Sequence, residues 1–511
     1  MPTFSAHDGT ELAYRLLGEG EPLVCLPGGP MASAAYLGDL GGLTAHRQLV
    51  LLDPRGTGGS AVPDDPSTYR CDRQVDDVEA LRSHLGLDRF DLLGHSASGN
   101  LATLYAARYP RRLRSLILVT PGTRAVGIEV TEQDRREAVD LRVGEPWYAA
   151  GLAAFEEVVR GRATPEAWDS LAPLGYGRWD DAARAHAAST DEQRNGEAAA
   201  AFYGDGAFDP DATWAALAAV DAPVLVLAGE LDAGPRPERA RQLAELFPQG
   251  SFAVQPGAAH YPWLDGAGAF VRTVAAFLDP GVHSVAVNGV RLAHRSWGAE
   301  DAEPVVLVHG RCGSSRDWTE IAERLAGRRR VIAVDLSGHG LSDWPGDYSL
   351  PGYRDELRGF LAALGLAGVD VVAHSMGGFA AYLLAQESPE LFRRLVLEES
   401  PPLFPLDPPR LAPPRPPAER PGGEPGYDWA LVPSIDAQLN EPDPRWRERL
   451  DRVTVPTLVI AGGADSHIAQ EKFAWMADRI PDCRLVTIEA GHLVHSTRPA
   501  EFLAALEEFG I

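Results

Sequence analysis

The sequence repeats its landmarks at one constant offset. The segment EPLVCLPGGP at 21–30 aligns with EPVVLVHGRC at 303–312, an offset of 282 residues, and LVLLDPRGTGGS at 49–60 aligns with VIAVDLSGHGLS at 331–342 at the same offset. Matches that recur without a gap at a single offset indicate a duplicated fold. The chain has 511 residues, which is long enough for two hydrophobic cores. We therefore expect two domains built on one plan.

Each half alternates short apolar runs with helical patterns. The runs are continuous in Val, Ile and Leu, which predicts strands covered by helices on both faces. Asp8-Gly9 and Asn288-Gly289 predict a hairpin at the start of each half. The predicted strands that follow are 22–27, 49–53, 90–94, 115–120, 223–228 and 251–255, then 304–308, 330–335, 369–373, 394–399, 456–461 and 484–488. The fold class is therefore α/β, with two mostly parallel sheets, one in each domain.

The join lies in FLDPGVHS at 277–284, where Asp279-Pro280-Gly281 predicts a break between domains at 1–279 and 282–511. So short a linker favours domains that touch, as an internal pseudo-dimer. The halves differ in one place. The first inserts a helical lid at about 122–222, whereas the second has a shorter, proline-rich segment at about 400–455, which we expect to form an ordered, irregular lid.

Composition excludes several functions. The chain has 47 Lys and Arg against 72 Asp and Glu, a formal net charge of −25, which argues against nucleic acid as a partner. No apolar run approaches the ~20 residues of a membrane helix, and the N-terminus lacks the pattern of a signal peptide. Four scattered cysteines predict a reducing cytoplasm and no metal site. The bias toward Arg, Ala and Pro is typical of a GC-rich bacterial genome, and Lys472 is the only lysine.

Each half carries one serine in a run of small residues that follows an apolar strand. These segments are LLGHSASGN at 92–100 and VVAHSMGGF at 371–379. A nucleophilic serine stands clear of the sheet on a sharp strand-to-helix turn, and such a turn needs small residues two places before and two places after it. Gly94 and Ser98 meet this need around Ser96, and Ala373 and Gly377 meet it around Ser375. Both serines are candidate nucleophiles.

A serine hydroxyl needs a base, which in turn needs an acid to orient it. His260 and His492 each follow the last predicted strand of their half, with Asp232 and Asp465 lying 28 and 27 residues earlier. Two alternatives exist in the second half: His495 as the base, and Glu398 or Glu399 as the acid. The AGH context favours His492, and the position after the preceding strand favours Asp465.

Both halves resemble α/β-hydrolases in the order Ser, Asp, His and in GHSASG and AHSMGG, which look like nucleophile elbows. The resemblance implies that Ser96, Asp232 and His260 form one catalytic triad. It implies a second triad of Ser375, Asp465 and His492. In the family, two backbone N–H groups stabilise the oxyanion.

The resemblance places those N–H groups at Ala97 and Gly29 in the first half, and at Met376 and Arg311 in the second. The loop LPGGP is similar to that of proline iminopeptidases, with Pro27 in place of their histidine. The resemblance to α/β-hydrolases implies no cofactor and no metal. The segment Gly56-Thr57-Gly58-Gly59 also lacks the Lys-Ser/Thr ending of a phosphate loop.

We therefore expect a serine hydrolase that cleaves an ester, thioester or amide of a small, partly apolar molecule at two sites. In the first lid, Trp147, Trp179 and Asp180 are candidate substrate contacts, although packing within the lid is the alternative for the tryptophans. Two other functions stay open. One is a proline iminopeptidase-like aminopeptidase in the first domain with the second as a scaffold, and the other is a small-molecule receptor without turnover.

Overall fold

The computed structural model describes residues 1–406, 408–411 and 426–511. It divides the chain into two compact units, Met1–Leu278 and Asp279–Ile511. The division falls inside the predicted FLDPGVHS junction.

The first unit is built on an eight-stranded sheet in the order β1-β2-β4-β3-β5-β6-β7-β8. Only the pairs β1 with β2 and β2 with β4 are antiparallel; the other neighbours are parallel. Every residue of β5 and of β7 is buried, which is the expected pattern for strands covered on both faces. The strands are β1 Thr3–Ser5, β2 Glu11–Leu17, β3 Pro22–Leu26, β4 Gln48–Leu52, β5 Phe90–His95, β6 Leu113–Val119, β7 Val224–Gly229 and β8 Gly250–Gln255.

Helices cover this sheet, and six of them, α3 to α8, lie between β6 and β7, in the segment predicted as a helical lid. The helices of the first unit are α1 Cys71–His84, α2 Ser98–Arg108, α3 Glu132–Asp140, α4 Tyr148–Val159, α5 Pro165–Leu171, α6 Asp181–Glu192, α7 Gly196–Phe202, α8 Pro210–Leu217, α9 Pro237–Ala244, α10 Pro262–Asp265 and α11 Ala267–Leu278.

The second unit repeats this topology, with the order β9-β10-β12-β11-β13-β14-β15-β16. Its first hairpin turns at Asn288 and Gly289, whose φ angles of 52° and 83° are those of the tight turn that Asn-Gly favours. The strands are β9 Val282–Val287, β10 Val290–Trp297, β11 Pro304–Val308, β12 Arg330–Val334, β13 Val369–His374, β14 Phe392–Glu398, β15 Thr457–Ala461 and β16 Cys483–Thr487.

The helices of the second unit are α12 Thr319–Leu325, α13 Leu350–Ala363, α14 Ser375–Glu387, α15 Leu431–Asn440, α16 Arg445–Glu448, α17 Glu471–Ala477, α18 Val494–Thr497 and α19 Pro499–Phe509. The predicted proline-rich lid at 400–455 is described only in part. It contains α15 and α16, and residues 407 and 412–425 lie outside the described residues.

Every predicted strand is present, with ends that differ from the prediction by at most two residues. The α/β prediction is confirmed: two mostly parallel sheets, one in each unit. Register brings the loops that follow neighbouring strands together, because Leu26 of β3 lies beside Gly94 of β5, and Val308 of β11 lies beside Ala373 of β13. Within the described part of the chain, no helix has both the length and the apolar character needed to cross a membrane.

Candidate active sites

Both candidate serines stand at strained turns between a strand and a helix. Ser96 follows β5 with a φ of 53°, and Ser375 follows β13 with a φ of 50°. The backbone of residues other than glycine rarely adopts this left-handed region, and residues held there cluster at functional sites. The turn is fixed locally, because the Ser96 N–H donates to Val119 O (3.0 Å) and the Gly122 N–H donates to Ser96 O (2.6 Å).

Close packing explains the small residues around each serine. A Cβ added at Gly94 would lie 2.7 Å from the carbonyl oxygen of Ser98, and one added at Gly377 would lie 2.5 Å from that of His309. Contacts this short with backbone atoms cannot be relieved by a side-chain rotation. The turns therefore require glycine at these two places.

In the first unit the structure brings together the three predicted residues. His260 Nε2 lies 2.7 Å from Ser96 Oγ, and His260 Nδ1 lies 3.0 Å from Asp232 Oδ2. Asp232 is buried just after β7 and only accepts hydrogen bonds, so the Nδ1 proton donates to it and Nε2 is free to accept the serine proton. This is the geometry of a general base with an orienting acid.

Two carboxylates act on the His260 imidazole. Burial by itself lowers its pKa, but the charges of Asp232 and Asp265 outweigh that effect and raise the pKa of His260 above its ordinary value of 6.5. Asp265 also fixes the loop, because it accepts hydrogen bonds from the Ala259 N–H (2.8 Å) and from the Gly177 N–H of the lid (2.7 Å). The same carboxylate thus holds the lid and influences the base.

A buried polar chain supports the first nucleophile turn. The Gly28 N–H donates to the Tyr36 hydroxyl (2.5 Å), which lies 2.6 Å from His95 Nδ1, and His95 Nε2 lies 2.9 Å from the His260 carbonyl oxygen. A carbonyl only accepts, so His95 carries its proton on Nε2 and its Nδ1 accepts from Tyr36. Burial lowers the pKa of His95 well below its ordinary value, which agrees with a neutral ring.

In the second unit the predicted acid is wrong. His492 Nε2 lies 3.1 Å from Ser375 Oγ, but His492 Nδ1 lies 3.1 Å from Glu399 Oε2. Glu399 follows β14, is fully buried, and also accepts hydrogen bonds from the Gly462 N–H (2.5 Å) and the Ser466 hydroxyl (2.5 Å). Asp465 instead lies on an exposed turn at Gly463–Asp465.

The backbone after β14 turns at Glu399, which has a φ of 47°. Its counterpart in the first unit, Thr120 after β6, has a similar φ of 42°. Each residue follows its nucleophile by 24 positions. In the first unit this place holds a threonine, whose hydroxyl donates to the His260 carbonyl oxygen (3.0 Å). A signal existed in the sequence: two adjacent glutamates follow the buried apolar run Leu395-Val396-Leu397, and a buried carboxylate needs a partner.

The neighbouring glutamate has a different partner. Glu398 lies 2.8 Å from His495 Nδ1, both side chains are buried, and the His495 ring stacks on Trp318 at a centroid distance of 4.2 Å. His495, the alternative base, is therefore engaged away from Ser375. The matching positions in the first unit are Val119 and Trp263. A buried hydrogen-bonded pair, Glu398 and His495, thus stands in one unit where the other has two apolar side chains.

The predicted oxyanion donors lie on the loops beside each turn. Pro27 and Pro30 have no N–H, and the Gly28 N–H is bonded to Tyr36, so Gly29 stays the candidate donor between the two prolines. Ala97 precedes α2, so its N–H belongs to the first turn, which lacks helical acceptors.

In the second unit, Met376 lies in the first turn of α14, where the backbone N–H groups likewise lack helical acceptors. Gly310 approaches Ser375 closely, since a Cβ there would lie 3.2 Å from Ser375 Cβ. Arg311, the predicted second donor of this unit, follows directly, and its side chain bonds to Asp436 (2.6 Å).

The candidate substrate-binding residues of the first lid interact with other residues of the lid. Trp147 lies under the Arg142 guanidinium (4.9 Å), and Trp179 packs against Tyr176 at 5.4 Å. Asp180 accepts a hydrogen bond from the Ala183 N–H (3.0 Å) and so caps α6. These contacts account for the two tryptophans as lid packing, the alternative named above, and they give Asp180 a structural role.

A cavity of about 490 Å³ opens onto Ser375 and His492 in the second unit. Its wall includes apolar side chains, among them Phe379, Phe404 and Ile435. His467 also lines it, with its ring 4.5 Å from that of His492. Among the described residues, no group of three or more His, Cys, Asp and Glu side chains is arranged to hold a metal ion.

Comparison with known proteins gives the family. The chain matches the α/β-hydrolase fold family over residues 21–267 and 303–422, which together make up more than half of its length. It therefore belongs to that family, with one match in each unit.

Named relatives include a proline iminopeptidase of Lactobacillus helveticus, 42% identical over 117 residues, which are 22% of this chain and 40% of that protein. A proline iminopeptidase of Heyndrickxia coagulans is 27% identical over 284 residues, 51% of this chain and 92% of that protein. The chain also matches uncharacterized mycobacterial proteins at 38% identity, and the match spans only 37% of their length. Among solved structures, a thermophilic esterase from Thermogutta terrifontis is 26% identical with a TM-score of 0.39, covering 54% of this chain and 97% of that one.

We expect Glu399→Gln to lower kcat/KM at the second site by about 10³- to 10⁴-fold, because the amide no longer holds the His492 tautomer or stabilises its imidazolium. The matched control, Asp465→Asn, should stay within about twofold of the parent, since an exposed carboxylate away from the imidazole contributes little. Both variants are measured in a Ser96→Ala background with a chromogenic ester. A large loss in Asp465→Asn with none in Glu399→Gln would restore the original assignment.

The first site should respond to pH through His260. Because its raised pKa reflects two carboxylates, the acid limb of kcat/KM should lie above pH 6.5. Asp265→Asn removes one negative charge, destabilises the imidazolium and should move that limb to lower pH. The profile is measured in a Ser375→Ala background, with Asp181→Asn as the control for an exposed lid carboxylate. An unmoved limb in Asp265→Asn would contradict the electrostatic role.

Tyr36→Phe should lower the free energy of unfolding by about 1–3 kcal/mol, because it leaves the buried Gly28 N–H and His95 Nδ1 without a partner. Tyr382→Phe is the matched control, since the buried Tyr382 hydroxyl has no hydrogen-bond partner among the described residues. Calorimetric unfolding of both variants checks the difference. Equal effects in the two variants would show that the hydroxyl of Tyr36 contributes nothing.

Proposed function

We propose that the protein is a serine hydrolase with two active sites, which cleaves an ester, thioester or amide of a small, partly apolar molecule. One observation carries the proposal. In each unit a serine on a strained strand-to-helix turn lies within hydrogen-bond distance of an imidazole Nε2, whose Nδ1 lies beside a buried carboxylate. The roles follow from that order of contacts.

The serine oxygen attacks the substrate carbonyl carbon while its proton passes to the imidazole Nε2. Backbone N–H groups of Ala97 and Gly29 at the first site, and of Met376 and Arg311 at the second, would stabilise the oxyanion. The imidazolium then gives that proton to the departing alcohol, thiol or amine, which leaves an acyl-serine. Water repeats the sequence with the same base, and the acid product departs as the serine is restored.

The two histidines beside the nucleophiles support this mechanism as positioning residues. His374 Nε2 lies 2.9 Å from the His492 carbonyl oxygen, as His95 Nε2 does from that of His260. Burial lowers the pKa of His374 to about 4, so its ring stays neutral near neutral pH and donates through Nε2. Each ring thereby ties the base loop to the serine turn.

A fluorophosphonate probe tests both sites at once. We expect labelling at Ser96 and at Ser375, located by mass spectrometry, because the probe reacts with a serine activated by a base. Ser96→Ala and Ser375→Ala should each remove one adduct and lower turnover at that site by about 10³-fold or more. Ser189→Ala, on the lid helix α6, is the control.

Each result bears on a different alternative. Labelling at one serine alone would support a single active site with the other unit as scaffold. No labelling at either, together with full ester turnover in the double variant, would contradict the hydrolase. Tight binding of an intact ester without product over hours would favour the receptor.

Proline iminopeptidase-like activity at the first site is the second candidate. The named relatives favour it, as does the LPGGP loop, whereas Pro27 in place of histidine and the capping role of Asp180 weigh against it. Prolyl-4-nitroanilide and 4-nitrophenyl butyrate, compared in a Ser375→Ala background, separate the two activities. A higher kcat/KM for the anilide supports the peptidase, and turnover of the butyrate alone supports the esterase.

A further inference from the structure

We propose that the second site, that of Ser375, is selective for substrates that carry an anionic group such as a carboxylate on an apolar body. This inference rests on the proposed function and names its substrate class. It starts from an imbalance: the chain as a whole has a formal net charge of −25, yet three cationic side chains, Arg311, Arg410 and Lys472, line the cavity at Ser375.

Lys472 contributes a positive charge to the wall of this cavity. It is the only lysine of the sequence and lies in the first turn of α17, half-buried at the cavity wall. Its ammonium has no ion-pair partner within the ranges that the structure describes. A cation in the first turn opposes the helix dipole, so the position contributes nothing to helix stability through that interaction. The charge is available to a ligand.

The two arginines retain one positive charge between them. Arg311 and Arg410 both bond to the same oxygen of the buried Asp436, at 2.6 and 3.4 Å. Two guanidinium groups share a single carboxylate, so the cluster keeps a net charge of +1. A guanidinium has five N–H donors, and one bond to Asp436 leaves others that can face a ligand. Before Glu399 is counted, this cluster and Lys472 together carry about two positive charges.

Among the described residues, one further carboxylate lines the cavity and offsets one of these charges. Glu399 is buried and bonded to His492, the Gly462 N–H and the Ser466 hydroxyl, so the cavity keeps an excess of about one positive charge. Much of the remaining wall is apolar, with Leu403, Phe404 and Leu439 among its side chains. Apolar surroundings strengthen the attraction between the cations and a negative group. An anion with an aliphatic or aromatic body therefore complements both parts of the cavity.

The test compares esters that differ by one charge, in the full chain with Ser96→Ala. Mono-4-nitrophenyl adipate and 4-nitrophenyl hexanoate have the same acyl length, but only the first ends in a carboxylate. Phenyl hexanoate and 4-carboxyphenyl hexanoate place the charge on the leaving group instead. We expect kcat/KM to be about tenfold higher for the anionic member of at least one pair, with the difference in KM. Added salt should reduce that preference.

Lys472→Gln should reduce the preference about fivefold to tenfold, because kcat/KM falls more for the anionic ester than for its neutral partner. Arg484→Gln is the matched control, because it removes the same charge from an exposed position on β16 that is not part of the cavity wall. Lys472→Arg should keep the preference. Equal kcat/KM within both pairs, or the same response in Arg484→Gln, would overturn the inference.

Because Lys472 is the sole lysine, an amine-reactive reagent gives a second measurement. In the Ser96→Ala, Ser375→Ala double variant, monoethyl adipate should slow acetylation of Lys472, whereas diethyl adipate should not. Fluorophosphonate labelling of Ser375 shows separately whether this serine is reactive. A labelled Ser375 without charge preference overturns only the inference, and an unlabelled, inactive Ser375 overturns the proposed function at this site as well.

Discussion

The contact between each imidazole and its carboxylate is the constraint on which the rest of the site depends. It fixes the Nδ1 proton, and only then does Nε2 face the serine as an acceptor. Parallel strands make that contact possible, because their carboxyl ends meet at one edge of the sheet and the loops there lie side by side. His260 and His492 both reach their serines across this edge, at 2.7 and 3.1 Å. The sheet thus positions groups that are far apart in the chain.

The two units meet this constraint with carboxylates from different strands. Asp232 follows β7, whereas Glu399 follows β14, the counterpart of β6. The imidazole needs a negative group near Nδ1, and either neighbouring strand end reaches it. In the first unit, Thr120 holds the position that corresponds to Glu399, and its hydroxyl donates to the His260 carbonyl oxygen. Duplication kept the framework while the acid changed its position.

The layer behind the site diverged in the same way. In the first unit, Tyr36 links the Gly28 N–H to His95, and the pair Val119 and Trp263 is apolar. In the second, Trp318 stands at the place of Tyr36 and stacks on His495, which is paired with Glu398. Loss of either partner would leave a buried polar group without its hydrogen bond, which is costly. The two sites therefore depend on different buried interactions to hold the same serine–imidazole geometry.

The sequence by itself determined the duplication, the strands of both sheets, both serine turns and both bases. These follow from local rules: continuous apolar runs for buried strands, small residues for a sharp turn, and one constant offset. Tertiary structure decided which acid meets which base, because Asp465 and Glu399 follow neighbouring strands at the same sheet edge and sequence spacing favours the wrong one. It also decided that Asp180 caps a helix and that Lys472 faces the cavity of Ser375, since the direction of a side chain depends on packing between distant segments.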